Sequence, residues 1–309
     1  MISLETMEIG PPENRVSDSF ESGFMTLTLE AQIRVCEHHT LTPLYLETFQ
    51  RHQPLVEAGC GSGQWMHYFK KFGIDSTGID WSEPLRRRSL EYDPTVRFDN
   101  GDMRALPYPN DSFGGVVAMG SPEHVLEGPA RVFQEFYRVL RPSGVAIITV
   151  PHYFFLRGIA KKLFTGPLRR LKRSAWLRHL AHKAPVVAGN PRHYAQVIAD
   201  RYREDIHLSV DFEGFFYEYY FTKDQIKEEL LKAGFTIEKC FAFNGAAGLI
   251  FSFGRLAGVY DSTTHESRLT FLGRLLHKAL ADEGLGHMIC CVVRKPAYPL
   301  TDRDIPKSI

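Results

Sequence analysis

Short apolar runs alternate with helical spacing over the first half of the chain. The runs that predict strands lie at 55–58, 77–80, 95–98, 115–119 and 145–150. The fifth run is apolar throughout, as expected for a strand buried on both faces of a sheet. Helical spacing follows the first run at about 63–72 and precedes the fifth at about 130–140. Strands that alternate with helices predict a parallel sheet with right-handed crossovers.

The flanking regions have different patterns. Residues 1 to about 22 are rich in Pro, Glu and Ser and predict a loose arm, and helical spacing follows from 27 to 50. Thr222 as N-cap and Gly234 at the C-terminal end predict a later helix. Two further runs, at 235–241 and 287–293, predict the last strands. The chain thus divides into an N-terminal arm and helix (1–50), a first half of the main domain (51–151), an insertion (152–221) and a C-terminal part of the main domain (222–309).

The composition is that of an ordinary globular protein. The chain has 309 residues, 44% hydrophobic and 24% charged, with a formal net charge of +1. Five cysteines without a C-x-x-C pair predict neither a disulfide framework nor a zinc site, and they fit a reducing cytosol. We expect a cytoplasmic protein, because no secretory leader and no run of about 20 apolar residues is present.

The most informative segment is Glu57-Ala58-Gly59-Cys60-Gly61-Ser62-Gly63, where a strand runs into a glycine turn that opens a helix. Glycines let a ligand approach the backbone closely, and the helix N-terminus offers N–H groups to an anion. The spacing excludes the dinucleotide fingerprint G-x-G-x-x-G/A, since Gln64 occupies the last position of the pattern that starts at Gly59. No lysine follows as a P-loop requires.

With its strand acid, this E-x-G-x-G-x-G segment resembles the first motif of class I S-adenosylmethionine-dependent methyltransferases. Later segments resemble the family's other motifs in order: GIDWS (78–82), GDM (101–103), LPYPNDSF (106–113), EHV (123–125), RVLRPSG (138–144) and LLKAGF (230–235). The basic insertion and the aromatic run after it resemble, more loosely, the type 11 group, which acts on small molecules. One departure is Gly115, where the family usually has Asp, and another is the turn at 120–122.

The resemblance implies an α/β fold: a Rossmann-like, mostly parallel sheet of seven strands with helices on both faces, and a basic helical insertion after strand five that acts as a lid. It implies S-adenosylmethionine as cofactor, with an acid at 80 on the ribose hydroxyls, an acid at 102 on the adenine amino group and the residue after it packed on the ring. The implied cofactor-binding residues are Glu57, Gly59, Gly61, Gly63, Asp80, Trp81, Asp102, Met103 and Gly120.

Two histidines are candidates for a general base on the acceptor side. His124 and His152 follow strands four and five, and ligands of open α/β sheets bind at the carboxyl ends of the strands. His124 has an alternative role, in which its hydrogen bonds hold the loop. The candidate substrate contacts are His152, Tyr153, Tyr217 and Tyr219. Tyr217 and Tyr219 belong to the aromatic run 212–221, for which core packing is an equal interpretation, and no metal site is expected.

The insertion is strongly basic. Between Glu135 and Asp200 the chain has twelve Lys and Arg residues and no acidic residue, with interleaved apolar positions that predict basic amphipathic helices. Three interpretations are open: a lid over the acceptor, peripheral contact with an anionic membrane through 157–183, and binding of RNA phosphates.

The function expected from these observations is methyl transfer to a small-molecule acceptor, at oxygen, with a natural product or a glycan or lipid-linked sugar as substrate. The alternatives are an RNA methyltransferase that uses the basic insertion and a non-catalytic protein that binds S-adenosylmethionine. DNA is not an expected partner, because Gly120-Ser121-Pro122-Glu123 stands where amino-methylating enzymes of nucleic acids carry (N/D)-P-P-(Y/F).

Overall fold

The computed structural model describes residues 24–125, 127–153, 207–210, 216–261 and 266–297. The strands of the described chain are β1 (Leu55–Ala58), β2 (Ser76–Asp80), β3 (Arg97–Asn100), β4 (Phe113–Met119), β5 (Leu140–Pro151), β6 (His207–Val210), β7 (Phe216–Tyr220), β8 (Thr236–Phe243), β9 (Gly258–Tyr260), β10 (Ser267–Leu269) and β11 (Met288–Arg294). Its helices are α1 (Leu29–His38), α2 (Thr42–Arg51), α3 (Gln64–Lys70), α4 (Glu83–Tyr92), α5 (Ala130–Val139), α6 (Lys223–Lys232), α7 (Gly245–Phe253) and α8 (Phe271–Leu285), with short 3-10 helices at Pro122–His124 and Gly254–Leu256.

The central sheet has seven strands in the order β3-β2-β1-β4-β5-β11-β8. Strands β1 to β5 pair in parallel, and β11 is antiparallel to both of its neighbours. The order reverses between β1 and β4, and such a reversal opens a crevice at the carboxyl ends of the strands. The predicted seven-stranded, mostly parallel, Rossmann-like sheet is confirmed.

Helices pack on both faces of this sheet and enclose two apolar cores. On one face, α2 and α3 contribute buried aromatic side chains such as Tyr45, Phe49 and Phe69, and α1 contributes smaller apolar residues. On the other face, α5 and α6 contribute Phe133 and Phe136 together with aliphatic residues. The apolar stripe of each helix explains its place, because only one side of each has to leave water.

The ends of α6 lie where the sequence predicts them. The Thr222 hydroxyl accepts a hydrogen bond from the Gln225 N–H, and the Gln225 side chain accepts one from the Thr222 N–H, which completes a capping box. Gly234 has a φ of +99°, a left-handed conformation typical of the residue that follows a helix.

Some elements differ from the prediction. Strand β3 begins two residues later than predicted, because only Phe98 of its four residues is buried and the apolar pattern is weak. Helix α4 was not predicted, since its described burial is limited to Leu85 and Ser89, although Ser82 caps it. The predicted turn at 141–144 lies inside β5, where Ser143 has a φ of +66° and the pairing with β4 shifts register.

The predicted N-terminal arm (1–22) and most of the basic insertion, including the stretch 157–183, lie outside the described residues. Within the part of the chain that is described, no helix combines the length and the apolar character needed to cross a membrane.

An ion pair ties α5 to the loop that precedes β4. Glu135 accepts hydrogen bonds from the Leu106 N–H at 2.8 Å and from the Arg138 guanidinium at 2.7 Å. Arg138 also donates to the carbonyls of Leu106 and Tyr108, at 2.9 and 2.7 Å. The bond from Arg138 lowers the pKa of the buried Glu135 carboxyl. One charged pair thus fixes a loop that would otherwise have few contacts with the helix.

We expect Arg138→Leu to lower the free energy of unfolding by about 2 kcal/mol, because the buried Glu135 loses its hydrogen-bonded cation and keeps only Arg131, 4.0 Å away. The control Gln134→Leu, at an exposed position of the same helix, should change the free energy of unfolding by less than about 0.5 kcal/mol. Since the folded-state pKa of Glu135 lies below its ordinary value of 4.5, the difference between wild type and Arg138→Leu should shrink as the pH falls below that value. Urea denaturation at several pH values measures both effects, and equal stability of the two variants would contradict the assignment.

Candidate cofactor and acceptor site

Three glycines form the turn between β1 and α3. All have left-handed backbone, with φ of +71° at Gly59, +55° at Gly61 and +73° at Gly63. Residues with a side chain rarely adopt this conformation, which explains the glycine spacing. The backbone N–H groups of Gly59 and Cys60 both donate to the Ile79 carbonyl, at 2.8 and 3.2 Å, and tie the turn to β2. The predicted strand, turn and helix are confirmed, and α3 begins directly after the third glycine.

Neighbouring segments occupy the space in which side chains at these glycines would lie. A Cβ on Gly59 would come within 2.8 Å of Met103 Cε and of Ser121 Oγ. A Cβ on Gly61 would come within 2.7 Å of the Phe24 ring. The loops after β3 and β4 and the segment before α1 therefore converge on the turn.

Phe24 is a contact that the sequence analysis missed, because no motif marks it. Its carbonyl accepts hydrogen bonds from Arg88 Nη1 at 2.7 Å and from Gln32 Nε2 at 2.5 Å. Arg88 also donates to the Leu27 carbonyl. Helices α1 and α4 thus hold the Phe24 ring over one side of the glycine turn.

Asp80 lies at the carboxyl end of β2, directly beside the turn. Its Oδ2 accepts a hydrogen bond from the Gly61 N–H at 2.8 Å, and its Oδ1 accepts one from the Ser82 N–H at 3.0 Å. The side chain is buried. A carboxylate fixed in this way is positioned to accept hydrogen bonds from a ribose diol, as the sequence predicts.

Glu57, the strand acid of the first motif, is 2% exposed. Its Oε2 has no hydrogen-bond partner within the described ranges. Burial raises the pKa of its carboxyl well above the ordinary value, and the charge of Asp80 raises it further. Two acids thus lie close together at the turn, and the sequence analysis did not predict that an oxygen of Glu57 would lack a hydrogen-bond partner.

These residues fit S-adenosylmethionine. The turn carries no side chain at its three glycines, which lets the amino-acid part of a ligand approach the backbone, and Asp80 lies one strand away, where a sugar would follow. The unpaired Glu57 oxygen and the Asp80 carboxylate favour a ligand that brings positive charge, and this cofactor carries an ammonium and a sulfonium.

The residues predicted to contact adenine lie close to the turn. Asp102 forms a double hydrogen bond with the Arg104 guanidinium, with Nη2 at 2.6 Å and Nε at 2.8 Å from Oδ2, and Arg104 also reaches Glu127. Trp81 is half-buried, and Met103 packs against Gly59 as described above. Sequence reasoning missed Arg104, although its place two residues after Asp102 is a usable signal. The adenine contacts of Trp81, Asp102 and Met103 stay predictions.

The loop after β4 joins the turn to the acceptor side. Gly120 has a φ of +65°, and the Ser121 hydroxyl donates to the Ala58 carbonyl at 2.9 Å. A Cβ on Gly120 would lie 3.4 Å from Oε1 of Glu123. The absence of a side chain at 120 therefore leaves room for this second buried acid. The Nε2 atom of the partly exposed His124 lies 3.9 Å from the same Glu123 oxygen. The loop-holding and catalytic roles of His124 both stay open.

His152 lies just beyond the end of β5 and is 5% exposed. Its backbone N–H donates to the His287 carbonyl, and its Nδ1 lies 2.9 Å from the Gly286 carbonyl oxygen. A carbonyl can only accept, so Nδ1 carries the proton of the neutral ring, and Nε2 is the basic nitrogen. A role of His152 as general base stays a prediction.

The predicted aromatic contacts separate into different environments. Tyr153 is half-buried, and its N–H donates to the Phe221 carbonyl at 2.8 Å. Tyr219 is 2% exposed and packs in the apolar core, with its ring 6.1 Å from that of Phe221. The Tyr217 side chain lies outside the described part. The burial of Tyr219 favours its packing role, and a substrate contact for any of the three stays a prediction.

We expect Asp80→Ala to weaken S-adenosylmethionine binding by about 1–3 kcal/mol, because charge-assisted hydrogen bonds to the ribose are lost. The control Asp75→Ala, at an exposed position before the other end of β2, should leave the affinity unchanged. Isothermal titration calorimetry measures both. An Asp80→Ala protein that binds as tightly as wild type would remove this carboxylate from the site.

Glu57→Gln should stabilise the free protein and weaken cofactor binding. The folded-state pKa of Glu57 is raised, so ionisation disfavours the folded state once the pH rises above the unfolded-state value of about 4.5. The variant should be more stable by about 1 kcal/mol at neutral pH, with a smaller gain near pH 5. Thermal unfolding at the two pH values measures the gain. A gain that does not depend on pH would contradict this explanation.

Comparison with known proteins agrees with the geometry. A family described as "Methyltransferase domain" matches residues 56–148. Phosphoethanolamine N-methyltransferase 3 of Arabidopsis thaliana is 30% identical over 102 residues, which cover 31% of this chain and 21% of that protein. Malonyl-[acyl-carrier protein] O-methyltransferase of Salmonella typhimurium is 27% identical over 114 residues, covering 37% of this chain and 45% of its own length. The chain therefore spans less than half the length of either relative.

The solved structures include a SAM-dependent methyltransferase from Methanosarcina mazei, with a TM-score of 0.51 and 15% identity over 83% of this chain and 98% of that one. At this identity the likeness shows the fold. The order of the strands, the left-handed glycine turn and the sequence relatives all agree. Residues 56–148 thus form a methyltransferase domain with the fold of S-adenosylmethionine-dependent methyltransferases, and these relatives support S-adenosylmethionine as the cofactor.

Proposed function

We propose that this protein transfers the methyl group of S-adenosylmethionine to an oxygen atom of a small-molecule acceptor, a natural product or a glycan or lipid-linked sugar. The observation that carries the proposal is the orientation of His152. The relatives of this chain include enzymes named for N-methylation and enzymes named for O-methylation. The choice of oxygen therefore rests on the residues of this chain.

An alcohol or phenol must lose a proton when its oxygen is methylated, and a positioned base accelerates this step. The Gly286 carbonyl fixes the His152 tautomer, so that Nε2 is the atom that accepts a proton. His152 also forms an isolated bridge with Phe221, which connects the end of β5 to the segment after β7. The base is thus held by backbone contacts on two sides.

The remaining residues of the site bind the cofactor and align it with the acceptor. When bound, the cofactor supplies an electrophilic methyl group on sulfur. The glycine turn and Asp80 would hold its amino-acid and ribose parts, and the loops after β3 and β4 converge on the turn. Nε2 of His152 would accept the proton of the acceptor hydroxyl as that oxygen receives the methyl group. Alignment of the acceptor beside the cofactor can contribute a large part of the acceleration in such reactions.

An acceptor screen with isotope-labelled methyl donor and mass-spectrometric product analysis tests the proposed chemistry. Methyl ethers or methyl esters of small molecules are the expected products. Methylated amines would contradict the choice of oxygen, and methylated RNA would favour the enzyme that uses the basic insertion. Cofactor binding without any product across the screen would point to a non-catalytic binding protein.

With an acceptor from this screen, we expect His152→Asn to reduce kcat by a factor of about 10² to 10⁴, the usual contribution of a general base. Asparagine can retain a donor to the Gly286 carbonyl, so the loop should keep its place. The affinity for S-adenosylmethionine should change by less than about twofold, because the base acts on the acceptor. Equal kcat values would leave alignment as the sole catalytic device.

A further inference from the structure

Three side chains with metal-binding atoms converge on the acceptor side of the crevice. Glu123 and His124 lie on the 3-10 helix after β4, and Glu218 lies on β7, which packs against that helix. One ligand atom from each residue lies within 4.8 Å of the other two. Segments far apart in sequence thus bring two carboxylates and an imidazole together.

Glu123 provides a second, independent observation. The residue is 2% exposed, and its Oε2 has no hydrogen-bond partner among the described residues. Burial of a carboxylate without a partner is costly, so native proteins pair such groups or use them to bind cations. An unsatisfied oxygen on this buried member of the cluster favours a ligand at the carboxylate.

The electrostatics of the cluster favour a cation. Burial raises the pKa of the Glu123 carboxyl well above its ordinary value, and the nearby charge of Glu218 raises it further. The Tyr220 hydroxyl donates to Glu218 Oε1 at 2.6 Å, which fixes the second carboxylate on the strand. A positive ion between the two carboxylates would relieve their repulsion.

We propose that Glu123, His124 and Glu218 bind one divalent transition-metal ion of the Mn²⁺ or Zn²⁺ type. Imidazole together with carboxylates suits these ions, whereas Ca²⁺ and Mg²⁺ prefer sites made of oxygen alone. Donors about 2.0–2.2 Å from a metal lie up to about 4 Å apart. The cluster has to contract slightly, and the partly exposed His124 and half-buried Glu218 have the freedom to do so.

Three protein ligands leave coordination positions for other groups. A hydroxyl of the acceptor bound there would lose its proton more easily, because a metal ion lowers the pKa of a coordinated oxygen. This role rests on the proposed function, whereas the binding of the metal does not. The sequence predicts no metal site, because Glu218 comes from a distant segment and local spacing gives no signal for it.

The test is a titration of the full chain with Mn²⁺ after treatment with a chelator, in the absence of cofactor and acceptor. The electron paramagnetic resonance signal of free Mn²⁺ reports how much remains unbound. We expect one bound ion per chain, displaced by Zn²⁺. Glu123→Gln and Glu218→Gln should each weaken binding at least about tenfold. Glu91→Gln, at an exposed position of α4, is the matched control and should bind as wild type does.

Both variants are expected to fold, so weaker metal binding would not be caused by unfolding. Glutamine at 123 removes a buried unpaired acid, and glutamine at 218 keeps an oxygen that can accept from Tyr220, so both variants should unfold at or above the wild-type temperature. The absence of saturable binding to the wild type would overturn the proposal, as would equal affinity in Glu218→Gln. Because neither methyl donor nor acceptor is present, a failure of the proposed methyl transfer would leave this result unaffected.

Discussion

The exclusion of side chains from the turn after β1 is the constraint on which the rest of the site depends. Gly59 and Gly61 combine left-handed backbone with neighbours so close that even a methyl group would collide. Met103, Ser121 and Phe24 take up that space, and they come from three other segments. The turn therefore serves as the surface against which the loops after β3 and β4 and the N-terminal segment are positioned. A change in the turn would disturb all of these segments together.

The parts of the fold that depend on local order could be predicted from the sequence. The alternation of apolar runs with helical spacing predicts the parallel strands, since each strand has to be covered by the helix that follows it. The place of Asp80 at the end of its strand also follows from the local pattern, and the structure puts it in contact with Gly61. The position of Asp80 could be predicted because the motif residues lie in a strand, in the turn after it and at the end of the next strand. The cofactor half of the site is thus largely encoded in short segments.

Features that depend on distant contacts could not be predicted. Gly115 stands where the family usually has Asp, and a Cβ there would lie 2.8 Å from both the His52 carbonyl oxygen and the Phe49 ring. The chain before β1 therefore leaves no room for a side chain at 115. The spacing of residues around 115 does not indicate this contact. The closeness of Glu218 to Glu123 likewise depends on how β7 packs after the insertion. The acceptor half of the site is built from such contacts, and its residues were harder to identify.

Two buried acids, one on β1 and one after β4, share the same electrostatic property. Glu57 beside the glycine turn and Glu123 after β4 each have a buried oxygen without a hydrogen-bond partner in the described chain, and burial raises the pKa of both carboxyls. In the free protein these groups reduce stability, because water has been removed and no described cation replaces it. A positively charged ligand offsets this cost when it binds. The same interaction therefore contributes to the affinity for that ligand. On this argument a cationic cofactor would relieve the cost of burial at Glu57, and the proposed metal ion would relieve it at Glu123.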